Sequence, residues 1–491
     1  MQKKDRIRLK KQKETQERHL FLKHTLMGIF AFYLVFIVAF YFLTGDQLRY
    51  RESGANLEMP EATAGTVELC QGADVSQYFM TGVQRLESIS VLWGTYYRAD
   101  SGTATMQLVR ADTGEQLMYG QFDVASIPEG GMTTIYAEQP VEGLANVPLI
   151  LNISADSQPG MGASPLMGEG ADDFNGLVLN GEETKGFLCI STTGTDYIWQ
   201  GLHYWQIVFV AGVVLMVVLL LVWNRYNHGK SDSIAAAILA VRQYKFLIKQ
   251  LVSRDFKVKY KRSVLGVFWS FLNPLLTMIV QYFIFSTLFQ SDIEYYPAYL
   301  LIGIVSFNFF SEACGMGLTS ILGNAGLITK VYMPKYIYPL TRVMSSTVNL
   351  VISLIPLVLV SLLTGVHFKK SAVLALYFLA CLIVFSLGMV LLLSAAMVFF
   401  RDMQFLWNVI SMLWMYATPL FYPESIIPEN LRFVLKLNPM YHFIKSERTC
   451  ILGGVSPDPN MYIVCAVIAL AMLAIGSFVF KKAQNKFVLY L

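Results

Sequence analysis

The sequence predicts a polytopic α-helical membrane protein of eight spans, both termini inside, carrying an inserted extracellular all-β sandwich or jelly-roll domain. Three observations predict it. Eight apolar runs punctuate the chain. Charge is scarce, at 15% of 491 residues against 55% hydrophobic, where soluble domains carry roughly a quarter. The charge present is also sorted: residues 45–203 hold 21 acids and 6 bases, a net of −15, whereas the remainder holds 13 acids and 32 bases, a net of +19. A mean hydropathy of +0.48 makes a cytosolic enzyme or a disordered chain a poor fit. Six cysteines with no CxxC pair do not make a disulfide scaffold of this length.

The first run, Leu26–Leu43, has 18 residues and no charge, enough to cross a hydrocarbon core of roughly 30 Å. The basic tail before it, residues 1–25, marks the cytoplasmic side. No small-residue cleavage site follows, so the run reads as a retained helix and not a signal peptide. Further runs are Tyr204–Trp223, Val264–Phe289, Ala298–Leu322, Val343–Leu363, Ala372–Phe400, Phe405–Phe421 and Met461–Phe480. Loop charges agree with this parity. The stretch Arg242–Arg262 has eight bases and one acid, Lys330, Lys335 and Arg342 have no acid among them, and Lys481, Lys482 and Lys486 follow the last run. Asp292 and Glu294 fall outside; Lys369 and Lys370 are the exception to a statistical rule.

Between the first two runs the texture is β: Ile89–Tyr97, Thr103–Val109, Leu149–Ile153 and Gly186–Ile190 are β-branched or aromatic and punctuated by Gly and Asp. Trp93, Tyr96 and Tyr97 suit either sugar stacking or core packing. Cys70 and Cys189 bracket the domain, where the first and last strands of a sandwich meet; a disulfide and two free thiols are both open. Asn152-Ile-Ser154 is a sequon.

No catalytic constellation and no metal-ligand spacing stands out. Gly229-Lys230-Ser231 imitates the end of a phosphate-binding loop, but Asn224 replaces its first glycine and no strand precedes it. ATP hydrolysis by this chain alone is therefore not expected. Glu312 sits in mid-span, where an ionisable group is costly and has either a structural partner or a transport role.

Residues 235–262 read as an amphipathic helix: Ile238, Val241, Phe246, Leu247, Ile248, Leu251 and Val252 recur at near-helical spacing among Arg242, Lys245 and Lys249. Such a helix lies at the headgroup level, its apolar face down. The string Leu251–Leu275 resembles the start of the ABC-2 permease family, in the branch that exports teichoic acids, O-antigens and capsular polysaccharides. Three ordered matches follow in the six-helix core, residues 264–491. Ser320–Leu340 is similar to that family's first cytoplasmic loop, Phe399-Phe-Arg-Asp402 to its Phe-Arg-Asp turn, and Thr418–Pro423 with Leu437–Tyr441 to its outer re-entrant segment. Typical members have six spans and no ectodomain, so the resemblance leaves residues 1–234 unassigned.

The resemblance implies a homodimer of permeases with two separate nucleotide-binding ATPase subunits, which bind the ATP and Mg; it implies no cofactor on this chain. The substrate class is a lipid-linked glycan, the setting a bacterial cytoplasmic membrane, and nucleic acid is no partner. Motion would pass through an interface helix (about 238–262: Arg254, Asp255, Lys257, Tyr260) and a coupling segment (about 323–339: Leu327, Lys330, Pro334, Lys335). Bases there suit acidic ATPase residues or a lipid-linked pyrophosphate. The core motif is Phe400, Arg401 and Asp402. Val264–Phe289 and Phe405–Phe421 would line the path, with Trp269, Tyr282, Phe283, Trp407, Trp414 and Tyr416 as sugar contacts or ordinary packing. A drug or lipid exporter permease is the near rival. A membrane glycosyltransferase would need acidic catalytic residues at a membrane face, and the only acidic pairs, Asp172-Asp173 and Glu182-Glu183, lie in the insertion. A receptor would need a cytoplasmic signalling domain.

Overall fold

The computed structural model describes residues 2–53, 59–98, 100–169, 176–229, 233–261, 263–289, 293–330 and 333–490. Asp172, Asp173, Lys230, Ser231, Arg262 and Asp292 lie outside the described residues. The chain forms two compact units, one of Met1–Gly45 with Tyr204–Leu491 and one of Asp46–His203.

The first unit is helical. Its main helices are α1 (Gln2–Thr44), α2 (Tyr204–Asn227), α3 (Ser233–Gln243), α4 (Lys245–Tyr260), α5 (Trp269–Phe289), α6 (Tyr296–Leu318), α7 (Ile337–Leu363), α8 (Ala375–Phe399), α9 (Met403–Tyr416), α10 (Pro439–Ile451) and α11 (Pro459–Ala483). Among the described residues, seven helices are long and apolar enough to cross a membrane. The eighth expected span, Phe405–Phe421, is not one of them. Its helix α9 has 14 residues, or about 21 Å, too short for the hydrocarbon core. Pro419 ends it, having no N–H to donate and disfavouring helix at the residue before.

Apolar side chains of α6, α8 and α10 share the main core, with Leu300, Phe310, Phe378, Leu382 and Phe443 fully buried. Small residues set how closely helices approach in a bilayer. A Cβ on Gly476 of α11 would stand 2.0 Å from the Gly388 carbonyl oxygen of α8. Helix α1 is fixed to this unit by polar tips on apolar bodies. The Tyr204 hydroxyl donates to the Ile37 carbonyl at 2.6 Å, and Phe40 meets Tyr462 edge-on at 4.8 Å.

The expected single amphipathic helix over 235–262 is two helices that part at Tyr244. The physical reason is that its two halves bury different faces. Ala235 joins Leu22, Leu26 and Val222 of α1 and α2, whereas Ile248 packs with Ile321, Ile337, Tyr338 and Phe487. Much of the stripe that was expected to face lipid therefore faces protein.

The second unit is a sandwich of two antiparallel sheets. Its strands are β1 (Tyr50–Ser53), β2 (Ala64–Gly65), β3 (Asp74–Met80), β4 (Arg85–Gly94), β5 (Thr103–Arg110), β6 (Gln116–Asp123), β7 (Met132–Glu142), β8 (Pro148–Ala155), β9 (Ser164–Gly168), β10 (Leu177–Leu179), β11 (Glu182–Thr184), β12 (Phe187–Leu188) and β13 (Ile190–Tyr197). One sheet runs β1-β13-β4-β9-β12 with β2 on β9 and β7 on β4; the other runs β11-β10-β3-β8-β5-β6. Alternation at period two drives Val75, Phe79, Ile89, Trp93, Met106 and Leu151 into one core shared by both sheets.

Two expectations resolve here. Trp93 is fully buried and donates its indole N–H to Thr133 Oγ1 at 2.6 Å, so it is core. The strand ends at Gly94, and Tyr96 and Tyr97 occupy a turn with φ of 53° and 57°, both side chains exposed. Cys70 and Cys189 are free thiols, which corrects the disulfide reading. Strand β9 lies between β2 and β12, so the chain leading to Cys70 and the chain leading to Cys189 run along its opposite edges. That separation is about two strand spacings, beyond disulfide reach.

Candidate functional site

Spacing along α4 builds the site. Ile248, Leu251 and Asp255 recur at intervals of three and four and are all buried, which places them on one helix face. Lys259 continues that face one turn on. Helix α7 supplies Arg342, Ser345 and Asn349 at the same helical spacing, and α6 supplies Glu312 and Met316. Asp255, Lys259, Met316, Arg342, Ser345 and Asn349 line a cleft of about 380 Å³, and Glu312 joins it through Lys259.

The polar groups of this cleft are paired. Asp255 meets Arg342 at 2.8 Å and Arg254 at 3.2 Å. Lys259 reaches Glu312 at 2.9 Å, and the Asn349 amide donates to the same carboxylate at 2.6 Å. Glu312 thus has structural partners. The Tyr260 hydroxyl bonds Ser270 of α5 and reaches Asn349 Oδ1 at 3.3 Å. Arg254 also reaches Asn324 Oδ1 at 3.5 Å, where the coupling segment begins. Three bases and two acids leave the cleft with one positive charge in excess. These bonds tie α4 to α5, α6 and α7. Lys257 is exposed on the same helix.

The coupling segment carries a short helix, Ala325–Ile328. Ile328 and Met333 are buried beneath it, Leu327 and Lys330 are exposed and Pro334 is half-buried. Lys335 differs from the expectation of an unsatisfied loop base. Its ammonium donates to the Gln484 carbonyl at 2.6 Å, and burial lowers its pKa.

The six aromatic candidates divide. Trp269, Tyr282, Phe283 and Tyr416 are exposed. Trp407 is only 4% exposed and lies edge-on to Phe310. Trp414 is half-buried and donates its N–H to Asn438 Oδ1 at 2.8 Å. Trp407 is a packing residue of the chain itself, because a ring already covered has no face for a sugar, whereas Trp414 keeps part of its ring open. The turn Phe400-Arg401-Asp402 joins α8 to α9, its three side chains exposed and the Asp402 carbonyl accepting from Phe405 N at 3.0 Å.

Sequence reasoning missed the clamp on the re-entrant turn. Arg448 of α10 lies over the Tyr299 ring at 3.4 Å and donates to the carbonyls of Pro419 and Leu420 at 2.8 and 2.9 Å. Tyr296 adds a bond to the Phe421 carbonyl at 2.7 Å. Beside it, Glu447 is buried and accepts from Ser306 at 2.5 Å. The available signal was weak, because Glu447 and Arg448 sit among His442, Lys445, Ser446 and Thr449 in a helix of mixed polarity.

Helices of membrane length, a polar cleft between α4, α6 and α7 and a short helix beside that cleft describe a polytopic helical membrane unit. Comparison with known proteins places it. Residues 246–452 match the model of the family described as ABC-2 type transporter. The O-antigen export system permease protein RfbA of Myxococcus xanthus is 30% identical over 247 residues, 50% of this chain and 95% of the relative. The protein of the same name from Klebsiella pneumoniae is 28% identical over 49% of this chain and 93% of its own length. The polysialic acid transport protein KpsM of Escherichia coli is 24% identical over 49% and 95%. The chain belongs to the ABC-2 type transporter family.

Proposed function

We propose that this chain is the permease subunit of an exporter that moves a cell-envelope polysaccharide across the cytoplasmic membrane, driven by a separate ATPase. One observation carries the reading: relatives named for O-antigen and polysialic acid export align over 93–95% of their own lengths with about half of this chain. ATP and Mg belong to the partner subunit. Two permeases assemble with two ATPases, which dock on α4 and the Ala325–Ile328 helix, where Lys257, Leu327 and Lys330 are exposed. The cleft around Asp255 passes their closure to α5, α6 and α7. The exposed aromatics Trp269, Tyr282, Phe283 and Tyr416 suit a path for sugars, whose apolar faces stack on rings. Residues 45–203 leave the membrane after α1 and return at α2, on the outer side if the basic tail lies inside.

Deleting the gene tests this. Surface polysaccharide should disappear while glycan accumulates in the cytoplasm, and tagged protein in mild detergent should retain an ATPase subunit. Normal surface polysaccharide in the deletion strain would refute it.

A further inference from the structure

We infer that the outward face of the six-stranded sheet in the β unit is a glycan-binding face, taking a stretch of the exported polysaccharide; this rests on the exporter reading above. The strand register builds the face. Ser76 of β3 is opposite Asn152 of β8, Asn152 is opposite Gln107 of β5, and Gln107 is opposite Tyr119 of β6. Because each residue shares its side of the sheet with its partner, one unbroken row of hydroxyl, amide, amide and phenol crosses four strands. The next row is Tyr78, Ile150 and Val109, a ring beside two aliphatic side chains. Asp74, Ser154, Thr105 and Gln121 form the row on the other side.

Charge marks this face as built for something other than solubility. In a unit with a net of −15, the four strands β3, β8, β5 and β6 carry charged residues only at strand ends: Asp74, Arg110 and Asp123. The opposite sheet does not avoid charge; Arg85 pairs there with Glu142 at 3.4 Å, and Glu87 and Glu138 are exposed. The polar groups of this charge-poor face are held in place and incompletely used. Ser76 donates to Asn152 Oδ1 at 2.8 Å, and Gln107 donates to Gln116 Oε1 at 2.7 Å. These bonds fix both amides and leave the Asn152 NH2 and the Gln107 Oε1 without a protein partner among the described residues. Tyr78 and Tyr119 are 40% and 50% exposed, three strand steps apart, about 14 Å across the strands. Fixed amides that donate or accept, hydroxyls that donate and accept, and rings at either side match a chain of uncharged sugars, whose hydroxyls need both roles and whose ring faces are apolar. An anionic surface would call for bases, and these four strands carry only Arg110, at a strand end.

The test uses full-length protein in nanodiscs and the envelope polysaccharide purified from the source organism, with affinity read by calorimetry. Wild type should bind. The double variant Gln107→Ala, Tyr119→Ala should lose about tenfold in affinity, or about 1.4 kcal/mol. Tyr119→Phe keeps the ring and should retain most of it, which separates stacking from a folding defect. Tyr136→Ala, at an exposed ring on the other sheet, should bind as wild type. Absence of wild-type binding, or equal affinity of the double variant, overturns the inference. The exporter reading fails separately, through normal surface polysaccharide in the deletion strain.

Discussion

The two units of this chain answer to opposite solvents. In the helical unit, large apolar side chains such as Phe209, Leu220, Leu362 and Phe478 stand exposed, while Asp255, Asn349, Asn438 and Glu447 are buried. In the β unit the core is Trp93, Leu108, Leu149 and their neighbours, and acids such as Glu87, Glu115 and Glu138 face outward. Lipid hides no polar group, so the helical unit must satisfy each inside; water accepts polar groups anywhere, so the β unit spends its interior on apolar packing. Charge in the helical unit is consequently legible as mechanism, whereas in the β unit it is the absence of charge that stands out.

Separate stability is the first thing the comparison demands. Trp93→Ala should cost the β unit about 3–5 kcal/mol through lost burial and a cavity. In calorimetry of the intact protein, that transition should fall sharply and the helical one stay put; a common drop would show the units to be one cooperative body. Breaking the polar cleft should act on the other unit. Arg342→Ala removes a partner from buried Asp255 and should cost about 3 kcal/mol, visible as a lower unfolding temperature in detergent. Adding Asp255→Ala should recover part of that loss, because the stranded charge goes with it.

Lys330 and Lys335 sharpen the contrast between a working and a structural base. Lys330→Glu should abolish surface polysaccharide while ATP hydrolysis by the assembled complex and the unfolding temperature are kept. Lys335→Glu should lower the unfolding temperature instead, since that ammonium is bonded to Gln484. Equal behaviour of the two would remove the distinction.

A smaller, pH-dependent effect belongs to the β unit. The Thr95 hydroxyl, then backbone N–H groups, donate to Glu129 and hold its carboxyl below the usual range. A depressed pKa gives stability that is present above the unfolded value of about 4.3 and is lost as pH falls through the folded value. Burial raises the pKa of Asp100, which works in the opposite sense, so Glu129→Gln is needed to isolate the first term. In that variant the loss of β-unit stability below about pH 4.3 should flatten. The smallest effect is expected at the cysteines: Cys70→Ser should leave stability unchanged with or without reductant, because no bond to Cys189 exists to lose.

Much of this molecule was determined locally. Proline is not decisive by itself, since Pro274 and Pro356 sit inside helices, whereas hydropathy over about twenty residues places a span and period-two alternation places a strand. These depend on near neighbours, and the sequence alone determined them, along with the split of charge between the units. Pairing across the fold was decided only by tertiary structure. Asp255 and Arg342 are 87 positions apart, and Lys335 finds Gln484 across 149; nothing local says which helices pack so closely. The fates of Trp93, Tyr96 and Tyr97, three aromatics in one run, turned on where β4 ends and which face a second sheet covers. The row from Ser76 to Tyr119 exists only because β8 and β5 hold a particular register between β3 and β6, and register is a property of assembled strands, since sliding by one residue would turn the whole row inward.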